Sequence, residues 1–297
     1  MSEAKGIEQQ AEGEAMGAVL YQQPDKRIVR IVLNRPEKAN AQNLKMLYGL
    51  NDALDRAAAD DEVKVIIVAA SGKHFSSGHG PMGYEDDFKL KDVAIGNSLG
   101  FASPGPEGHW ALEEEVFFGL CWRWRNIPKP TIAEVQGKVI AGGLMLVWPF
   151  DLVVASQSAT FQDPVVAFGV NGVEYFGHPW EFGVRKAKEM LFTGRAITAK
   201  VAQELGMVSR VVADDNLSEA TMSLALEIAE QPMIGLKTAK ESVNQTQNEQ
   251  GFYSSLRSAM IVQQFAHSHN KVVDGQAVVA NGGEAVRTLI KKPPINE

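Results

Sequence analysis

The chain has 297 residues, a formal charge of −7, 45% apolar residues and 22% charged ones, a balance that packs a large core and is too apolar for disorder. The net acidity, without any basic stripe interleaved with aromatics, excludes electrostatic binding of nucleic acid. One cysteine, Cys121, leaves no internal disulfide and no cysteine zinc site, so the protein reads as cytoplasmic, with Cys121 a small buried apolar residue.

Residues 1–17 carry Glu3, Glu8, Glu12 and Glu14 with no secretory or Arg-rich transit pattern, and read as a flexible acidic tail. Alternation over Arg27 to Leu33 predicts a strand, which Asn34-Arg35-Pro36 stops. Apolar residues at three- and four-residue steps from Asn43 to Ala58 predict a helix. Val63 to Ala70 is short, β-branched and almost wholly apolar, the pattern of a central strand buried on both faces. The chain from Tyr84 to Trp110 has poor periodicity, acidic Glu85-Asp86-Asp87 and the breakers Pro104-Gly105-Pro106, as in a lid, a binding loop or a disordered insertion.

A helix is predicted from Leu112 to Arg125, ended by Pro128-Lys129-Pro130, and strands at Thr131 to Val135 and Leu152 to Ala155. The longest apolar run, Val139 to Phe150, is interrupted by Gly142-Gly143 and is short of the about 20 residues a membrane span needs. Beyond Gly183 the pattern is helical, through Leu217 to Ile228, Ile234 to Asn244 and Leu256 to Phe265. Strand–helix alternation followed by a helical part gives an α/β class with a junction near residue 200.

Two glycine turns follow predicted strands: Ser76-Ser77-Gly78-His79-Gly80 and Ile140-Ala141-Gly142-Gly143-Leu144. Glycine lets backbone come close to a ligand, so each turn could aim one N–H at a single oxygen and form an oxyanion hole; equally, both could be tight turns only. No metal-ligating spacing of His, Asp and Glu, no Walker motif and no dinucleotide fingerprint is present.

Eight stretches in order, across roughly residues 18–265, carry a resemblance. They are Leu33-Asn34-Arg35-Pro36 with Asn40-Ala41, Phe75 to His79, Lys129 to Gly137, Ala141-Gly142-Gly143 leading to Phe150-Asp151, Ala159 to Pro164, Leu191-Phe192-Thr193-Gly194, Ala202 to Val208, and Ala239 to Asn244. With these the chain resembles the crotonase superfamily of enoyl-CoA hydratases and isomerases. The resemblance implies a ββα spiral core over 18–200 with an acyl-CoA site and an 84–111 insertion or lid. It also implies a helical C-terminal oligomerisation region over 201–297, assembly as a homotrimer or homohexamer, and a role in fatty acid metabolism. The substrate would be an acyl-CoA thioester, with no cofactor besides the coenzyme A it carries. The two amides fall on His79 and Gly142, and the coenzyme A contacts on Lys38, Ala39, Asn40, Ser77, Gly78 and His79.

The resemblance fails where the hydratases keep two catalytic glutamates: Met145 and Val165 stand at those positions. A thioether and an isopropyl group neither take a proton from water nor deliver one, so hydration by the two-carboxylate route is not expected. Replacement groups could come from Glu85, Asp86, Asp87, His109, Glu113, Glu114 and Glu115 of the insertion, or from Glu174, Tyr175 and His178. The ordinary reading of Glu113-Glu114-Glu115 is a solvated helix start. Asp151 matches the family's structural aspartate, Asp163 is a weaker base, and the imidazole of His79 would sit at the mouth of the site. Trp122, Trp124, Trp148, Trp180, Phe117 and Phe118 suit either an acyl pocket or a core or subunit interface. Two functions stay open: an acyl-CoA enzyme (hydratase, isomerase or hydrolase), or a noncatalytic acyl-CoA-binding or scaffold protein.

Overall fold

The computed structural model describes residues 13–16, 18–79, 90–96, 100–101 and 103–295. In chain order the elements are β1 (Glu14–Met16), β2 (Val19–Asp25), β3 (Ile28–Leu33), α1 (Leu44–Ala59), β4 (Val65–Ala70), α2 (Leu90–Val93), α3 (Pro106–Glu113), α4 (Leu120–Arg125), β5 (Thr131–Val135), β6 (Lys138–Ile140) and β7 (Leu152–Ser156). Then come β8 (Thr160–Gln162), α5 (His178–Thr193), β9 (Ile197–Thr198), α6 (Ala199–Glu204), β10 (Arg210–Val212), α7 (Leu217–Ala229), α8 (Met233–Glu249), α9 (Phe252–Asp274) and α10 (Gly282–Leu289).

The seven-stranded sheet runs β1-β2-β3-β4-β5-β7-β10, antiparallel through β3 and parallel from β3 onward. A small second sheet, β6-β8-β9, was not foreseen: its strands have two or three residues each, too short to show a period. As expected, β4 is buried on both faces. Val65, Ile67 and Ala69 pack toward Leu224, Ala225 and Ala229 of α7, while Ile66, Val68 and Ala70 face the main core with Leu47, Leu50 and Leu54 of α1. Asn43 caps α1, its side chain accepting from the Met46 amide at 2.9 Å, which sets the helix start where the periodicity begins.

Two expectations need correction. Residues 14–16, read as tail, form the edge strand β1, and Glu14 is held by Arg56 at 2.6 Å; residues 1–12 and 17 lie outside the described part. The predicted helix 112–125 is three pieces on one rod, because a π-helical turn over Glu114–Gly119 separates α3 from α4. A methyl group on Gly119 would lie 2.8 Å from the Glu114 carbonyl oxygen, so glycine is what lets that wide turn close.

Asp151 is structural, as the resemblance implies. Its Oδ2 accepts from the Thr131 amide (2.8 Å), the Thr131 hydroxyl (2.9 Å) and Lys240 Nζ (2.8 Å), joining β5, the start of β7 and α8. Burial lowers the Lys240 pKa, with Asp151 acting against that shift. Asp151→Ala removes both Thr131 contacts and leaves the half-buried Lys240 ammonium only the Lys129 carbonyl, and should lower unfolding free energy by about 1–3 kcal/mol in urea titrations. Lys240→Met should cost less, because Asp151 keeps both Thr131 donors.

Candidate active site

The first glycine turn leaves the end of β4 and the second leaves β6, and three contacts hold them side by side. Ser76 pairs with Val139 as an isolated parallel bridge, its amide donating to Lys138 O (3.3 Å) and its carbonyl accepting from the Ile140 amide (3.0 Å). The Gln42 amide donates to Gly78 O at 2.8 Å, and the Gln42 side chain donates through Nε2 to Gly142 O at 2.6 Å. Gln42 thus spans both corners from a buried position, a role no spacing rule announced.

The corners are in close contact. A methyl on Gly142 would stand 3.3 Å from the His79 amide nitrogen and 2.6 Å from its imidazole Cδ2. One on Gly78 would stand 3.1 Å from the Gly142 nitrogen and 2.8 Å from Ile140 O, and Gly78 has a φ of +89° that itself favours glycine. Gly142 is the second residue of a short 3₁₀ turn, where the amide has no partner earlier in the turn. Gly80 lies outside the described residues.

Lys38 and Ala39 are brought to the first corner. The Ser77 amide donates to Ala39 O at 2.9 Å, Lys38 is exposed, and Ser77 is exposed beside it. Asn40 is different from its expected role as a ligand contact. It is fully buried, Oδ1 accepting from the Arg35 amide (2.8 Å) and Nδ2 donating to Ser71 O (2.9 Å) and His74 O (3.0 Å), so it shapes the turn from within.

The His79 side chain is 23% exposed, stacks on Phe117 of the π-helical turn with ring centroids 4.2 Å apart, and brings Nε2 to 3.4 Å from Glu174 Oε1. Glu174 is buried; Oε1 accepts from Gln263 Nε2 at 3.0 Å, while Oε2 is buried and meets no hydrogen-bond donor among the described residues. A buried carboxylate oxygen left in this way is costly and marks a functional candidate.

The position of Glu174 follows from Asp163. That residue is fully buried, its Oδ1 accepting from the Val165 amide (3.2 Å), its Oδ2 from the Val173 amide (3.1 Å), with His178 Nε2 at 2.8 Å from Oδ2. One carboxylate therefore folds residue 173 back beside residue 165, and delivers Glu174 to the neighbourhood of the absent second glutamate. Both Asp163 oxygens are engaged in this fold-back, and His178 meets it through Nε2, while its buried Nδ1 has no hydrogen-bond partner among the described residues. On the other side, the Cys121 thiol donates to Met145 O (3.3 Å), and burial, then the Glu174 charge, push its pKa up. Met145 and Val165 themselves are buried apolar groups.

The run 113–115 is not a solvated helix start. Glu115 is buried, accepting from Tyr48 Oη (2.9 Å), the Ile95 amide (2.7 Å) and the Gly96 amide (2.7 Å), while Glu114 pairs with Arg257. Glu113 is buried beside His109 and His267; burial raises its pKa, but the two imidazoles outweigh this and hold the carboxyl well below the usual range. The expectation of no metal-ligating cluster needs correction here, since only the tertiary fold places His267 against the pair on α3. Glu85, Asp86 and Asp87 lie outside the described residues. Of the aromatics, Phe117 meets His79, whereas Trp124 packs toward Phe150 in the core.

The first glycine corner follows β4 of the large sheet and the second follows β6 of the small one, and the fold that carries them is that of the crotonase superfamily of acyl-CoA-processing enzymes. The chain belongs to the enoyl-CoA hydratase/isomerase family, whose model matches residues 23–87 and 96–279. A protein of Mycobacterium tuberculosis H37Rv named as an enoyl-CoA hydratase, EchA13, is 42% identical over 268 residues, 84% of this chain and 80% of that protein. The crystal structure of a probable enoyl-CoA hydratase from Mycobacterium smegmatis aligns with a TM-score of 0.80 and 46% identity, covering 89% of this chain and 100% of that one. An enoyl-CoA hydratase/isomerase from Xanthobacter autotrophicus Py2 aligns with a TM-score of 0.75 and 31% identity, covering 93% and 96%.

Gln42→Leu should loosen the corners without unfolding the sheet. Hydrogen exchange should quicken at residues 76–79 and 141–144, with a stability loss of about 1–3 kcal/mol for the stranded Gly142 carbonyl.

Proposed function

We propose that the protein moves a proton next to the thioester of an unsaturated acyl-CoA, as a double-bond isomerase, and does not hydrate by two carboxylates. The amides of His79 and Gly142 receive the thioester oxygen as it gains enolate charge, where fixed donors stabilise without reorganising. Lys38, Ala39, Ser77 and Gly78 form the rim that takes the coenzyme A. Glu174 is the group that takes the proton from one carbon and returns it to another. His79 and Gln263 hold one of its oxygens and leave the other for the substrate.

The observation that carries this reading is a buried carboxylate, one of whose oxygens meets no hydrogen-bond donor among the described residues, on a segment folded back toward Val165, where the family's second glutamate is absent. One carboxylate is enough for a proton shift, whereas adding water needs a group for the water and a proton for carbon. The other bases weighed from the insertion are outside the described residues or engaged in the contacts given above. The enzyme works in the cytoplasm as a homotrimer or homohexamer and needs no cofactor besides the substrate's own coenzyme A. In support of assembly, α8 buries no residue within the chain, and Ile234 and Val243 on it, with Phe265 and Val272 on α9, are exposed. Among the described residues no helix is long and apolar enough to cross a membrane.

The test is a panel of 2-enoyl- and 3-enoyl-CoA thioesters in deuterated water, followed by enoyl absorbance and by mass. Isomerisation is expected, with deuterium entering only as far as the Glu174 carboxyl exchanges with solvent before it returns the proton; hydration at comparable rates overturns the isomerase reading. Tight binding with neither exchange nor turnover on any thioester establishes the noncatalytic, acyl-CoA-binding alternative. Glu174→Gln should lower turnover by about 10²–10⁴ while thioester affinity stays within a few-fold. Gly142→Pro, which deletes one amide, should lower turnover by about 10²–10³, and an unchanged rate would count against the oxyanion assignment.

A further inference from the structure

We propose that His109, Glu113 and His267 form a binding site for one divalent transition-metal ion of the zinc type, clamping α3 to α9. It stands apart from the acyl-CoA reading and does not depend on it.

His109 and Glu113 lie four residues apart on one face of α3, and His267 comes from the middle of α9. Both Nε2 atoms converge on the same carboxylate oxygen: His109 Nε2 is 2.9 Å and His267 Nε2 is 3.4 Å from Glu113 Oε1, and the three atoms all lie within 4.8 Å of one another. Ligands at about 2.0–2.2 Å from one ion stand roughly 3.0 Å apart at right angles and roughly 3.4 Å apart at tetrahedral angles. The two nitrogen–oxygen edges already have these lengths.

The hydrogen bonding around the cluster points the same way. His267 Nδ1 lies 2.6 Å from Ala277 O, and a carbonyl only accepts, so Nδ1 carries the proton and the neutral ring presents a bare lone pair at Nε2. That Nε2 is buried, in a residue 7% exposed, and has no hydrogen-bond partner among the described residues; the same holds for the buried Nε2 of His109. The His267 lone pair aimed at a carboxylate oxygen needs a proton or a metal ion between the two, and the His109 ring offers a lone pair to the same ion in the tautomer protonated at Nδ1. Supplying protons on both rings instead would set two imidazolium ions with centroids 4.5 Å apart in a buried place. One divalent ion satisfies all three groups at once. Gln264 Nε2 donates to Glu113 Oε2 at 2.5 Å, which leaves Oε1 for the ion. A backbone carbonyl behind one histidine and an amide behind the carboxylate are the outer partners that orient metal ligands. Two imidazoles and a carboxylate suit zinc, cobalt or iron(II) and not calcium or magnesium, and three protein ligands leave room for water.

The experiment uses the tag-free full chain, stripped with a chelator and titrated with Zn²⁺ by calorimetry and with Co²⁺ by visible absorption. Expected are one equivalent per chain, a Co²⁺ band that Zn²⁺ bleaches, and a raised melting temperature with metal. His109→Ala and His267→Ala should each weaken binding by more than the about 10–100-fold that loss of an outer partner costs, and Gln264→Ala by about that amount. If His267→Ala does not fold by circular dichroism, His109→Ala, whose ring is a quarter exposed, decides alone. No stoichiometric uptake by the native chain, or uptake that His109→Ala leaves unchanged, overturns the site.

Discussion

The site is organised by the backing of two glycine corners against each other, through the Ser76–Val139 bridge and the two bonds of Gln42. Each corner alone is an ordinary turn at a strand end. Together they press the His79 backbone against Gly142, an approach open because Gly78 and Gly142 carry no Cβ to hold the corners apart. Asn40, bonded to Arg35 in its own turn and to Ser71 and His74 in the chain that follows β4, keeps residues 38–40 pressed on Ser77. The cost of burying backbone polar groups in this irregular chain is offset where they find partners, as the Gly78 and Gly142 carbonyls do in Gln42 and the Ser77 amide does in Ala39.

The rod from α3 to α4 is the second organising feature, and its chemistry is unusual for a surface helix. Three consecutive glutamates point to three different partners: Glu113 to the histidines, Glu114 to Arg257, and Glu115 to Tyr48 and the backbone of residues 95–96. The π-helical turn makes this possible by shifting the register of the following residues, and it also lays Phe117 on His79. The same rod therefore connects α1, α9 and the interior of the site. Gln263 and His267, one helical turn apart on α9, extend the connection, the first to Glu174 and the second to Glu113.

Much of the frame was legible in order of residues. The continuous apolar run of β4, the helical spacing of α1 and the strands either side of Gly142-Gly143 all follow from local periodicity, and the family motifs located both corners. What could not be read was anything resting on contact across the chain. Glu113-Glu114-Glu115 has the composition of a solvated helix end, and its burial comes from α1 and α9 closing over it. Glu174 is eleven positions from Asp163 by way of a fold-back whose hydrogen bonds leave no trace in spacing.

By itself, then, the sequence determined the α/β class, the family, the two glycine turns and the absence of carboxylates at positions 145 and 165, since these depend on residue type, period and local motif. Tertiary structure decided which polar groups meet: Gln42 with Gly142, His79 with Glu174, and His267 with Glu113. The reason is physical. Apolar pattern is repeated along the chain and so can be read locally, but a buried polar group is defined by one partner, and that partner lies at a sequence distance only packing can bridge.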